Sequence, residues 1–203
     1  MSDIEVFADV GCPFTHIGLR RFVARRAELG RDDVRLIVRS WPLEIVNGTP
    51  MQAAFIAEEV DEITGQLGKD FFVGFREAAF PSTSMPAMAL AAAAYDVGAE
   101  VGEHVSLELR DLLFEQGVDI ADRATLRDVG ERHGVVADLD DETRVRAEHA
   151  AGVERGVIGS PHFFTPAGGF FCPALDVSRD DAGHLRVTAD PEEFDRFVAS
   201  CLS

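Results

Sequence analysis

Residues 4–18 read Ile4-Glu5-Val6-Phe7-Ala8-Asp9-Val10-Gly11-Cys12-Pro13-Phe14-Thr15-His16-Ile17-Gly18. The segment 4–9 is short, partly alternating and apolar at Ile4, Val6 and Phe7, the pattern of a buried strand. Gly11, Cys12 and Pro13 break it. An amphipathic run follows, with Ile17, Leu19, Phe22, Val23 and Leu29 on one face, and predicts a helix over 13–29. Pro13 suits the first turn, where its missing N–H costs nothing, and Gly30 suits the C-terminal cap. Residues 34–38, Val-Arg-Leu-Ile-Val, form a second strand rich in β-branched side chains. A helix-length crossover between two strands implies a parallel βαβ unit.

Downstream the period becomes helical. Helices are expected over 51–67, 70–79, 85–97, 103–116, 123–133 and 140–155, with Asp122 and Asp138 as N-cap or first-turn acids. After Gly156 two short apolar runs, 161–164 and 169–172, flank the turn Thr165-Pro166-Ala167-Gly168 and read as a hairpin, with Gly168-Gly169 in its turn. Asp190-Pro191-Glu192-Glu193 opens a last helix, with Phe194, Phe197, Val198 and Leu202 on one face. The order is βαβ, a helical insertion, then ββα. The expected organisation is an α/β domain of residues 1–48 and 156–203, carrying an inserted helical subdomain, 49–155. No repeat or low-complexity linker interrupts it.

Composition narrows the function. The 203 residues are 46% hydrophobic and 27% charged, an ordinary globular balance. Asp and Glu number 36 against 19 Lys and Arg, a formal charge of −17, which repels phosphate backbones and argues against nucleic-acid binding. Lys69 is the only lysine, which suggests a G+C-rich genome or a salt-adapted surface. Three cysteines are too few for a disulfide-stapled secreted scaffold. The first residues show no basic, apolar and small-residue series of a signal peptide, and no apolar run is long enough to span a bilayer. A cytoplasmic protein without a membrane partner is expected.

Cys12 is the first chemical candidate. It follows a strand and opens a helix, where unpaired N–H groups and the helix dipole favour an anion and lower a thiol pKa. The competing reading is an inert buried cysteine. Thr15 stands where a Cys-x-x-Cys motif places its second thiol. Its hydroxyl is able to donate to a thiolate and unable to resolve a mixed disulfide, so dithiol chemistry through positions 12 and 15 is excluded by atom type. Otherwise it is a plain first-turn residue. Gly159-Ser160-Pro161 is a second candidate: a cis Ser160–Pro161 bond would turn the Ser160 backbone toward a substrate beside Cys12, against the commoner reading of a trans proline starting a strand. His16 either faces the Cys12 pocket and supports thiolate formation or lies on the helix surface. Cys172 is a candidate resolving thiol if its Cα lies within about 7 Å of that of Cys12. The favoured alternative is a small core residue. Cys201 reads as incidental. The scattered histidines show no metal-ligand spacing, so no metal is expected.

Together, residues 9–18 and Gly156-Val157-Ile158-Gly159-Ser160-Pro161-His162-Phe163 resemble the DsbA-like thioredoxin superfamily. Within it they are similar to the branch of FrnE-type oxidoreductases, kappa-class glutathione transferases and 2-hydroxychromene-2-carboxylate isomerases. The order of elements, the step Trp41-Pro42-Leu43 and the segment 115–120, Glu-Gln-Gly-Val-Asp-Ile, carry the same likeness. The resemblance implies a thioredoxin-like fold with a large helical insertion. It also implies Cys12 at the nucleophile position, Pro161 at the cis-proline position and Ser160 offering backbone hydrogen bonds to a thiol partner. The oxidoreductases carry Cys where Thr15 stands, and the transferases and isomerases usually carry Ser where Cys12 stands.

The leading expectation is therefore a monothiol oxidoreductase. Cys12 attacks a disulfide, sulfenic acid or electrophile, Thr15 stabilises its charge, and Pro13, Phe14, His16, Ser160 and Pro161 hold the partner. No tightly bound cofactor is expected; glutathione or another low-molecular-weight thiol, or a disulfide-containing peptide or protein, is the partner. A transferase or isomerase, in which the cofactor's thiolate is the nucleophile, is the second reading, and a redox-inactive binding module the third. The resemblance admits a homodimer, although the sequence shows no exposed apolar stripe.

Overall fold

Strands β1 (Ser2–Ala8) and β2 (Val34–Ser40) pair in parallel, from Ser2 opposite Val34 to Ala8 opposite Ser40, and α1 (Pro13–Glu28) crosses between them. The structure, a computed structural model, describes residues 2–181 and 183–202. On its other side β1 pairs antiparallel with β3 (His162–Thr165), which pairs antiparallel with β4 (Gly168–Phe171). The sheet order is β2-β1-β3-β4, so the two ends of the chain build one sheet. Alternation along β1 buries Ile4, Val6 and Ala8 with Leu36, Val38 and Phe163, against Leu19 and Phe22 of α1 and Phe197 and Val198 of the last helix (Pro191–Leu202).

Between β2 and β3 the chain forms α2 (Leu43–Val46), α3 (Ala53–Leu67), a 3-10 turn (Glu77–Ala79), α4 (Met85–Val97), α5 (Ala99–Phe114), α6 (Arg123–His133) and α7 (Thr143–Glu154). These helices close the open edge of β2. The N–H groups of Leu36, Val38 and Ser40 point away from β1 and donate to Glu103 Oε2 at 2.6 Å, the Tyr95 hydroxyl at 2.8 Å and Glu148 Oε2 at 2.8 Å. A bare strand edge would otherwise leave these donors unpaired or open to another chain. Arg26 of α1 also grips Glu103 with both guanidinium nitrogens, at 2.9 and 2.5 Å, in a buried ion pair. Gly102 lets α5 come this close: a Cβ there would lie 2.2 Å from the Tyr95 ring.

The structure corrects the sequence reading in several places. No α-helix spans 70–79; only the 3-10 turn forms. Phe72 has φ +65°, and a Cβ on Gly74 would stand 2.1 Å from the Glu115 carbonyl oxygen, so this segment wraps the end of α5 instead. A second hairpin, β5 (Leu175–Arg179) and β6 (Leu185–Ala189), was not expected. It packs on α3, where Gln66 bridges Leu185 O and Val187 N at 3.0 and 2.9 Å. Gly168 and Gly169 belong to β4. Asp122 caps α6 through Thr125 N at 2.8 Å. Asp138 accepts from Asp140 N in the preceding turn, and Glu142 holds the N-cap position of α7. The last helix, α8, begins at Pro191, and Asp190 accepts from Glu193 N at 2.9 Å.

Candidate active site

The loop after β1 places Cys12 at the N-cap position of α1, and Pro13 occupies the first turn. The Ser160–Pro161 bond is cis. The Cys12 thiol donates to the Ser160 carbonyl at 3.3 Å. The Ser160 hydroxyl accepts from Asp9 N at 2.8 Å and meets Thr15 Oγ1 at 2.8 Å. At the next peptide, Cys172 N donates to Pro161 O at 3.0 Å. Cys12, Thr15 and Cys172 thus gather around the Ser160–Pro161 dipeptide, from three parts of the sequence.

A cavity of about 330 Å³ opens beside them. Cys12, Pro13, Phe14 and Ser160 line it, together with Leu43, the loop from Asn47 to Gln52, and α3 through Phe55, Ile56 and Glu59. Thr15 is fully buried and bonds both Cys12 and Ser160, which line the cavity, and Pro161 and Cys172 are not among the residues that line it. Residues 47–52 and Glu59 escaped the sequence reading, because nothing local marks a polar loop as a pocket wall.

Burial raises the Cys12 pKa, and the bonds from Thr15 and Ser160 pull it back only in part. The lowered value expected from the helix N-terminus is therefore corrected: at 4% exposure, desolvation of the thiolate outweighs the hydrogen bonds that favour it. Cys172 is pushed up to about 12, first by burial and then by the charge of Cys12. Both thiols, and that of Cys201, are free. Cys172 takes a left-handed backbone conformation with φ +48°.

His16 is neither in the cavity wall nor on the surface. Its ring is buried among Phe71, Phe72 and Phe114, and Nε2 meets Glu115 Oε1 at 2.6 Å. Burial lowers its pKa, against the pull of Glu115, so the neutral ring donates from Nε2 and Nδ1 is left without a proton or a partner. Burial also opposes ionisation of Glu115. Hydrogen bonds from His16, Phe72 N and Val73 N overcome it and hold the carboxyl down to about 2. The expected support of Cys12 by His16 is replaced by a structural link from α1 to the end of α5.

Asp9 is the residue the sequence reading passed over. It is completely buried one turn before Cys12. Its Oδ1 accepts from Gly11 N at 2.8 Å, and Oδ2 accepts from Leu43 N at 2.7 Å and Ser84 Oγ at 3.3 Å. It ties the Cys12 loop to the starts of α2 and α4. Burial lifts its pKa to about 6, against those backbone bonds and the Arg110 charge. Arg110, itself buried and lowered to about 10 by desolvation, donates to the Asp9 carbonyl at 3.2 Å and to Ser106. Among the described residues no cluster of His, Cys, Asp and Glu is arranged to hold a metal.

The family model of the DSBA-like thioredoxin domain matches residues 3–179. The chain belongs to this family. Among solved structures it is similar to a putative protein disulfide isomerase from Nitrosomonas europaea, at TM-score 0.63 and 16% identity, covering 97% of this chain and 95% of that one. The cytosolic disulfide reductase DsbM from Pseudomonas aeruginosa matches at TM-score 0.59 and 15% identity over 97% of each chain, and the same reductase with GSH at 0.57. A 2-hydroxychromene-2-carboxylate isomerase matches at 0.58 and 13% identity, over 83% of this chain and 88% of that one. At such identities these likenesses establish the thioredoxin-like fold. No curated protein matches the chain. Among the described residues no helix is long and apolar enough to cross a membrane.

Proposed function

We propose that this DsbA-family chain is a monothiol thiol–disulfide oxidoreductase that acts through Cys12 on small disulfides or disulfide-bearing peptides. The single observation that carries the reading is the Cys12 sulfur at the head of α1, held on the Ser160 carbonyl and bordering an open cavity. The Cys12 thiolate attacks one sulfur of the partner, a new S–S bond forms and the other sulfur leaves as a thiolate. A free low-molecular-weight thiol then attacks the mixed disulfide and restores Cys12. No second protein thiol is needed, which suits a fully buried Thr15 at the position of a resolving cysteine. The structural neighbour described with GSH supports glutathione or a related thiol as the exchanging partner. A cytoplasmic location, in a reducing pool of such thiols, fits the same chemistry. Thr15 positions the Cys12 sulfur, directly and through Ser160. Cys172 is the group to which a second, slower disulfide would form.

One observation favours a second reading. Cys12 is a hydrogen-bonded thiol with a raised pKa, which suits a donor to a bound cofactor thiolate, as in transferase or isomerase chemistry. Stopped-flow exchange between a neutral aromatic disulfide and the wild-type and Cys12→Ser proteins separates the two. The oxidoreductase reading expects loss of exchange in Cys12→Ser. Retention of glutathione-dependent turnover in Cys12→Ser supports the second.

A further inference from the structure

Asn47 is the only asparagine in the chain, and Gly48 follows it. The pair closes α2, and Asn47 lines the cavity beside Cys12. The turn needs this glycine: Gly48 has φ +72°, the left-handed conformation that ends a helix and that other side chains adopt only at a cost. Without a Cβ on Gly48, no side chain shields its N–H, which makes no backbone hydrogen bond. Among the described residues no hydrogen bond holds the Asn47 amide either. Residues 46–50 are exposed, and α2 is four residues long and buries none of them. Asn47 sits at ψ −10°, an angle that must turn before its side chain meets Gly48 N. Few buried contacts oppose that turn in an exposed loop after one helical turn.

We propose that Asn47 is a site of spontaneous deamidation, which places a carboxylate in the wall of the Cys12 cavity. Gly48 N gives its proton to solvent and attacks the Asn47 side-chain carbonyl carbon. A C–N bond forms, the amide nitrogen leaves as ammonia, and a five-membered succinimide results. Water then opens the ring at either carbonyl, giving aspartate or isoaspartate. The sum is asparagine plus water to acid plus ammonia, with no change of oxidation state. Asparagine is among the side chains that heat degrades, and here the chain carries it at one position only. The isoaspartyl product also routes the backbone through the side chain, which lengthens the wall between α2 and Met51 by one methylene. No Lys, Arg or His lines the cavity, so no cation of its wall meets the new charge. Its effect on exchange rests on the reading of Cys12 as the exchanging thiol; the modification itself does not.

The test holds freshly purified protein for days in mildly alkaline buffer and follows intact mass, peptide maps and ammonia release, with a free peptide of residues 43–52 alongside. The expected result is one conversion per chain, in the peptide that contains Asn47, with ammonia in equal amount. Its rate should lie within about tenfold of that of the free peptide. Gly48→Ala slows it severalfold, and Asn47→Gln, which leaves Gly48 and its turn in place, abolishes it. A folded chain that converts more than about tenfold slower than the peptide, or an Asn47→Gln protein that releases ammonia as fast as wild type, overturns the site. A second arm compares fresh and aged protein in adduct formation on Cys12. The rate with 3,3′-dithiodipropionate, relative to that with bis(2-hydroxyethyl) disulfide, should fall severalfold on ageing at low salt and less at high salt. A ratio that ageing does not move overturns the effect on the cavity and leaves the modification. Absence of any adduct on fresh protein overturns the exchange reading alone.

Discussion

The Cys12 thiol donates a hydrogen bond to the Ser160 carbonyl at 3.3 Å. A thiolate has no proton to give, so this bond to the carbonyl favours the neutral form. Burial raises the pKa further, against the side chains of Thr15 and Ser160, which favour the thiolate. The free protein is therefore expected to alkylate slowly with iodoacetamide, with a midpoint above that of an exposed thiol measured alongside. Thr15→Val, which removes a hydroxyl that favours the thiolate, moves the midpoint higher still. A midpoint below that of the exposed thiol contradicts the arrangement around Cys12.

The hydroxyl of Thr15 also fixes the type of redox chemistry. Wild-type protein is expected to reduce insulin weakly. In Thr15→Cys a thiol stands one helical turn from Cys12, the usual separation of a resolving pair. Free-thiol titration after mild oxidation should show a disulfide between positions 12 and 15, and insulin reduction should rise by at least about tenfold. Brisk insulin turnover by the wild type contradicts this assignment of Thr15.

Buried Asp9 predicts a pH dependence with a definite sign. Its folded value of about 6 lies above its ordinary 3.8. A raised carboxyl contributes stability that is complete below the lower value and is lost as pH rises through the upper one. Between those limits the loss is on the order of 3 kcal/mol. Urea unfolding across that window, compared between wild type and Asp9→Asn, isolates it: the variant lacks this slope. The variant is also less stable overall at acid pH, because an amide in place of Oδ2 cannot accept from both Leu43 N and Ser84 Oγ. Equal slopes in the two proteins contradict the buried, raised carboxyl. Glu115, held down to about 2, acts oppositely, and its contribution is lost only as pH falls below its ordinary value of 4.5.

Glu103 joins α1, β2 and α5. Glu103→Ala leaves Arg26 and Leu36 N buried without it and should cost about 3–5 kcal/mol in urea unfolding. Arg26→Met combined with Glu103→Met should cost clearly less than the single change, since no charge is then left alone. A single change within about 0.5 kcal/mol of wild type contradicts the latch.

The βαβ unit was legible because hydrophobic period and punctuation agree there: Ile4, Val6, Ala8, then Gly11 and Pro13, then the α1 face. The β5–β6 hairpin was not, since Leu175, Val177, Leu185 and Val187 alternate with polar residues in short runs that also suit a loop. The failed helix over 70–79 looks helical in composition. The Glu115 carboxylate takes the N–H groups of Phe72 and Val73 instead, a tertiary contact that local propensity does not register. At the site, position alone pointed to Cys12, Ser160 and Pro161. The burial that raises the Cys12 pKa is a tertiary property, and helix-terminus reasoning treats the thiol as if water reached it. His16 went astray for a related reason: one residue past Thr15, it turns away from the cavity to Glu115, a partner 99 residues distant.

The most direct measurement is to treat the protein with bis(2-hydroxyethyl) disulfide, digest it under acid and locate the adduct by peptide mass. The account predicts one mixed disulfide, on Cys12, reversed by added thiol, with Cys172 and Cys201 unmodified. An adduct confined to Cys172 or Cys201, or none on a folded protein, contradicts it.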